Sequence, residues 1–305
     1  MKTFVKFFAG NIFAGIAFAV LAVFAAMAIG TEIYSICCEY TGSMPVYALT
    51  SPDQCYMPPS SAHWCGTDFQ GRDVFLRAVA GSATAMKVGL TAGLIAAFLG
   101  TTLGLMAGFF GGKLDDAVVW IYSTFAAMPT LLFMLAFALL VKGDFLAQPL
   151  RSAFAVLGFL LHAEPGMIAI YLAIGLTAWV SLCRVIRAET MKLKNSQYVL
   201  AAKVAGQHPW VILFRHLLPN VFHLVIIYFT LIFASAVMTE VIASYLGVGV
   251  QSAPSWGVMI SDGQDRLWRG VWWEVAAATG FMFLLVLSLN VLSDHLRDKL
   301  DPRSR

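Results

Sequence analysis

VGLTAGLIAAFLGTTLGLMAGFFGG, residues 88–112, runs for 25 residues without a charge. A bilayer core about 30 Å thick is crossed by about 20 apolar helical residues, so this stretch is long enough to span one. Its small residues recur at Gly89, Gly93, Ala97, Gly100, Gly104 and Gly108, nearly all four apart. Four-residue spacing sets them along one helix face, where missing side chains let a second backbone approach closely. The expectation is a membrane-spanning helix packed tightly against another.

Runs of the same kind lie on both sides of it. Phe7–Gly30, Ala117–Val141, Gly166–Cys183, Leu217–Thr239 and Val275–Ser293 complete a set of six spans. Ser152–Leu161 is apolar but too short to cross, and reads as a re-entrant, interfacial or short external piece. In lipid the backbone groups must be satisfied within the segment, so all six are expected to be helices. No strand alternation competes. Composition agrees: of 305 residues, 59% are hydrophobic and 12% charged, against roughly 25% charged in soluble domains. That excludes a soluble enzyme, and a net charge of +3 is too small to argue for nucleic acid. Ala26-Met27-Ala28 resembles a signal cleavage site, but a signal's apolar core is about 7–15 residues. The first run is far longer and reads as a retained anchor. The fold class expected is all-α, a polytopic membrane protein with six transmembrane helices.

Lysine and arginine placement sets the orientation. With the N-terminus inside, the inner side holds 13 basic residues, among them Lys113, Arg184, Arg187, Lys192, Lys194, Lys203, Arg215 and Arg297. The outer side holds six, Arg72, Arg77, Lys142, Arg151, Arg266 and Arg269, with Lys87 at the boundary. The chain is therefore read as N-in and C-in. It divides into residues 1–30, the inner N-terminal end and first span, an external cysteine-containing segment 31–85, and a five-helix core 86–305 with an inner loop 185–218. Cys37, Cys38, Cys55 and Cys65 fall in the external segment, outside the cytosol, where disulfides persist. A bridge from Cys37 or Cys38 to Cys55 or Cys65 is expected; a metal site is the alternative, without a C-x-x-C or a paired-histidine spacing to support it.

Several chemical signatures fail. Gly111-Gly112-Lys113 invites comparison with a phosphate-binding loop, but Ala107 stands at the first glycine position and Leu114 at the hydroxyl position. No nucleotide site of that type, no metalloprotease helix and no nucleophile elbow is present. Glu240 is an acid within an apolar stretch, where a carboxylate costs roughly 2.5–3.5 kcal/mol on insertion scales. It reads either as a translocation-path residue or as a hydrogen-bonded interface residue, and the second reading is preferred. His223 reads as a satisfied polar residue. In the inner loop, Gln197–Val204 is expected to be helical, Gly206 to break it, and His208-Pro209 to turn. A second helical stretch, Trp210–Leu218, then leads to Pro219 at the start of the fifth span. The elbow suits a membrane-hugging loop or a docking element equally well.

The string Tyr198-Val199-Leu200-Ala201-Ala202, then Gly206, then Arg215-His216-Leu217-Leu218-Pro219-Asn220 resembles the E-A-A loop of ABC importer permeases. Three further strings are similar to the dipeptide/oligopeptide/nickel branch, within which the long link before the second span resembles the C-type permease. They are His63-Trp64-Cys65-Gly66-Thr67-Asp68 running on to Arg72-Asp73, Pro254-Ser255-Trp256-Gly257, and Leu296-Arg297-Asp298-Lys299-Leu300-Asp301-Pro302-Arg303. The resemblance covers about residues 60–303.

It implies a type I importer permease fold in the bacterial inner membrane. It also implies half of a translocation pathway for peptides or similar small solutes, built with a second, homologous permease subunit. Two ATP-binding subunits inside and an external substrate-binding protein complete such systems. ATP and magnesium would sit on those partners, with no cofactor, metal or catalytic residue on this chain. The coupling loop implied comprises Tyr198, Ala201, Ala202, Gly206, Arg215, His216, Leu218 and Pro219. Leu200 departs from the pattern, which has glutamate there, and this bears on the strength or partner choice of the coupling contact. An intramembrane enzyme and a proton-coupled carrier, both centred on Glu240, are the alternatives.

Overall fold

The computed structural model describes residues 12–142, 165–249 and 253–300, with positions 152, 156, 158 and 162 between. The chain forms α1 (Ile12–Thr41), α2 (Val74–Phe110), α3 (Gly112–Ala127), α4 (Thr130–Lys142) and α5 (Pro165–Leu193). It continues through α6 (Gln197–Val204), α7 (Pro209–Tyr245), α8 (Trp256–Gln264) and α9 (Trp273–Leu300). Among the described residues there is no named strand. Most of the Ser152–Leu161 stretch lies outside the described residues, as do Phe7–Asn11 of the first expected span and Asp301-Pro302-Arg303 of the last motif.

Five helices, α1, α2, α5, α7 and α9, are long and apolar enough to cross a membrane, and α3 with α4 supplies a sixth span if the bent pair is counted as one. That pair is where the sequence expectation needed correcting. A continuous span over Ala117–Val141 is replaced by two helices at 94°. Pro129 has no amide hydrogen to donate and drives the preceding residue out of helical geometry. Met128 is accordingly extended, at φ −82° and ψ 129°.

α2 is the central mast. It begins 14 residues before the apolar run, at Val74, because Asp73 caps it by accepting from the Leu76 amide at 3.0 Å. Its glycines serve two neighbours rather than one. Gly89 and Gly93 lie against the rings of Phe233 and Phe229 on α7. Gly100, Gly104 and Gly108 lie against the carbonyls of Trp179, Cys183 and Arg187 on α5. The receiving carbonyls are also four apart, so the two backbones run along each other. A Cβ at Gly104 would sit 2.8 Å from the Cys183 oxygen and 2.9 Å from the Ile186 Cβ. Replacing Gly104 by leucine is therefore expected to destabilise the bundle by about 1–3 kcal/mol, the range for overpacking. Unfolding of the detergent-purified chain checks this, and an unchanged midpoint would contradict the close approach.

Pro219 sits in the first turn of the α-helical stretch Leu218–Tyr245, at the start of the fifth span as expected. That stretch is joined to the short turn begun at Pro209 by a π-helical segment over Ile212–Leu217, giving the 37-residue α7. The wider turn relieves the missing donor and the ring's clash with the carbonyl four residues earlier.

Candidate functional site

At one end of the bundle α6 and the first turns of α7 form the elbow. Val199 and Ala202, three apart on α6, are buried with Ile186, Ile212, Leu213 and Leu217 in one apolar cluster. The other side of α6 carries Tyr198, Leu200, Ala201 and Val204, all exposed. α6 ends in a Schellman cap: the Gly206 amide donates to the Lys203 carbonyl at 3.0 Å, and the Gln207 amide to Ala202 at 3.1 Å. Gly206 holds φ +72°, a left-handed conformation that glycine adopts without strain. That is the physical reason for a glycine at this place in the string.

After the turn, His208 is extended and Pro209 starts α7. Trp210 stacks on Phe214 at 6.1 Å and meets the edge of Phe110 at 5.5 Å. The Lys203 ammonium lies 5.4 Å from the Phe109 ring centroid. The elbow is thereby seated on the end of α2. His216 Nε2 pairs with Gln207 Oε1 at 2.9 Å, closing the turn upon itself. Arg215 and Pro219 are exposed and Leu218 half-buried. Tyr198, Leu200, Val204, Val211 and Phe214 are exposed large apolar residues on this elbow, Val204 at 90%. Apolar side chains gathered on an exposed surface mark a contact with another protein or with membrane. Nearby, Arg187 grips Asp115 through two bonds of 2.5 and 2.6 Å, fixing the start of α3 to α5 across 72 residues of sequence that no spacing rule connects.

At the opposite end the string of residues 63–73 before α2 makes a second construction. Asp68, fully buried, accepts from the Gln70 and Arg72 amides at 2.8 and 2.9 Å. Its other oxygen receives Arg72 Nε at 2.6 Å and Arg77 Nη1 at 2.5 Å. Arg77 also reaches Glu274 at 3.3 Å and Asp262 at 3.8 Å. Burial raises the Asp262 carboxyl above its usual range, and the Arg77 charge opposes that. The Trp273 indole donates to the Thr67 carbonyl at 3.0 Å. One arginine thus clasps the string before α2, α8 and α9 together.

Pro254-Ser255-Trp256-Gly257 forms the third node. Trp256 is buried and donates to the Ala78 carbonyl of α2 at 2.8 Å, and Thr84 donates to the Pro254 carbonyl at 2.7 Å. Ser255 and Ser244 donate to Glu240 Oε1 at 2.8 and 2.6 Å. Glu240 is buried, 1% exposed, and joins α7 to the start of α8. Its geometry is that of a structural tie. His223 lies on α7 far from it, on another surface groove.

Cys37 and Cys38 belong to the last turns of α1 rather than to a loop, and Cys55 and Cys65 to the connection before α2. All are free thiols in the structure; Cys55 donates to the Phe69 carbonyl at 3.2 Å. Burial raises the Cys65 thiol above its ordinary value, with the Asp73 charge adding to it. Among the described residues no group of histidine, cysteine and carboxylate side chains is arranged to hold a metal.

Comparison with known proteins supplies the class. Residues 100–305 match the family described as binding-protein-dependent transport system inner membrane component. The chain is 34% identical over 250 residues to the dipeptide transport system permease protein of Bacillus subtilis, covering 82% of this chain and 71% of that protein. It is 35% identical over 246 residues to the oligopeptide transport system permease protein of Escherichia coli K12, covering 80% and 74%. A glutathione transport system permease protein of Pectobacterium atrosepticum is 31% identical over 246 residues, covering 80% and 74%. The chain belongs to the binding-protein-dependent transport system inner membrane component family: it is a multi-pass inner-membrane permease of an ABC importer, not an enzyme.

Proposed function

We propose that this permease forms half of the pathway by which peptides or similar small solutes enter the cell, paired with a second, homologous permease. ATP is hydrolysed on two separate subunits that dock on the elbow, and an external binding protein delivers the solute. The observation that carries the docking role is the elbow itself. A short helix buries Val199 and Ala202 in the bundle, presents Tyr198, Leu200 and Val204 outward, and is joined to α7 by the short turn at residues 206–208. Movement of a partner that holds α6 is passed to a spanning helix as a rigid-body displacement. The N-in, C-in orientation puts the elbow in the cytoplasm, where ATP is.

Peptide is the preferred solute because the relatives named above are permeases of dipeptide, oligopeptide and glutathione transport systems. Glu240 is assigned to structure: an amide at this place retains the oxygen that accepts from Ser244 and Ser255. The test is uptake into vesicles carrying the whole transporter. Glu240→Gln is expected to keep at least half of the wild-type rate, and uptake is expected to require ATP and to survive collapse of the proton gradient. Uptake abolished by Glu240→Gln or by an uncoupler, with ATP present, would replace the ATP-driven reading with a proton-coupled carrier.

A further inference from the structure

On the elbow half of the bundle, α5, α7 and the end of α9 enclose a groove of about 650 Å³. Its α7 wall changes character along one face of the helix. Asn220 and His223 lie nearest the elbow, while Ile227 and Leu231 lie one and two turns farther into the span. The α5 wall does the same, from Lys192 and Glu189 at the helix end to Val185 deeper in. Arg297, exposed near the end of α9, closes the polar mouth.

The groove therefore has a charged mouth at the level where a spanning helix leaves the hydrocarbon, and an apolar floor running toward the bilayer centre. Lys192 and Arg297 against Glu189, which Lys192 meets at 2.8 Å, leave one net positive charge at the mouth. One phosphodiester balances that charge, and Asn220 and His223 supply hydrogen-bonding groups beside it. The floor suits the first carbons of an acyl chain. Basic recesses between spanning helices are the kind of site that takes anionic headgroups.

We infer that this groove is a binding site for an anionic phospholipid, its phosphate held between Arg297 and Lys192 and one acyl chain laid along Ile227 and Leu231. A site here ties α5 to α7, the two helices that flank the elbow. The inference rests on the chain's place in the membrane and is independent of what is transported.

The test uses the intact transporter purified with its partners and placed in nanodiscs of phosphatidylethanolamine with phosphatidylglycerol. Native mass spectrometry counts retained phosphatidylglycerol for wild type and for Lys192→Ala/Arg297→Ala. Each basic residue near a membrane surface contributes about fivefold, so the double variant is expected to bind about thirtyfold more weakly. A photo-crosslinking residue at Leu231 is expected to label lipid acyl chains. Inorganic phosphate at millimolar concentration is expected not to displace the lipid, which separates a lipid site from a phosphate site. Equal retention in wild type and double variant, crosslinking of residue 231 to a second protein chain, or displacement by phosphate would each overturn the inference.

Discussion

Replacing Arg77 by methionine is expected to destabilise the folded chain by about 3–5 kcal/mol, the cost of removing one partner from a buried ion pair. Arg77 is 5% exposed and is the one group that meets Asp68, Asp262 and Glu274 together among the described residues. Methionine keeps the stem's bulk and removes the charge, so the loss is electrostatic rather than a cavity. Asp68 keeps its bond to Arg72 and its two backbone donors. Glu274, 1% exposed, loses the one salt bridge it makes among the described residues. Neutralising the acids as well, with Asp68→Asn and Glu274→Gln in the same chain, is expected to recover part of the loss. The recovery identifies the mechanism, because a packing defect would not be repaired by those changes. Denaturant or thermal unfolding in detergent reads both effects. A shift below about 1 kcal/mol for Arg77→Met would show that water reaches these charges and that the clasp is an ordinary surface pair.

Gly206→Val is expected to leave the chain folded and inserted but to lower uptake by about tenfold to a hundredfold. The residue is exposed, and nothing lies within 4 Å of where a Cβ would be, so no clash is introduced. The difficulty is φ +72°: a β-branched residue held there is strained by about 1–3 kcal/mol. The strain is relieved by loosening the cap in which Gly206 and Gln207 donate to Lys203 and Ala202, which changes the angle between α6 and α7. Each 1.4 kcal/mol lost from the docked geometry weakens it tenfold. Asparagine tolerates the left-handed region better than other side chains, so Gly206→Asn is expected to keep most of the uptake. Equal loss in Asn and Val variants would mean that the glycine's lack of a side chain, rather than its backbone angle, is what the partner needs.

Much of the fold was legible because lipid imposes a simple rule. Long uncharged runs gave the spans, and the α6 boundaries Gln197 and Val204 followed from the break at Gly206. What the runs concealed was geometry within an apolar stretch. Pro129 sits in a run that hydropathy treats as uniform, yet it turns the chain by 94°. The four-residue glycine repeat signalled close packing but not that its two halves serve α7 and α5. Side-chain networks were less legible still. Asp68, Arg77, Asp262 and Glu274 come from three separated segments, so no spacing rule connects them, and only the resemblance singles out the Gly66-Thr67-Asp68 string. At the elbow the string itself was readable. That Val199 and Ala202 face inward while Leu200 faces out needed the packing of α6 on the Ile212–Leu217 segment of α7 and the apolar cluster they share.

Leu200 gives the elbow an apolar outer face where a glutamate is the family expectation, so the docking contact proposed here is a desolvation contact more than a charged one. Burial of such a face on a partner stabilises by roughly 25 cal/mol per Å² of apolar surface. It is therefore expected to persist at high salt.

The most direct measurement is affinity purification of this chain in mild detergent at high salt, with mass spectrometry of the proteins that come with it. A second six-span permease and ATP-hydrolysing subunits are expected to come with it. Gly206→Val, or Leu200→Asp with Val204→Asp, is expected to remove the ATP-hydrolysing subunits while leaving the second permease in place. A chain that purifies alone and stays folded, or ATP-hydrolysing subunits retained undiminished by elbow variants, would contradict it.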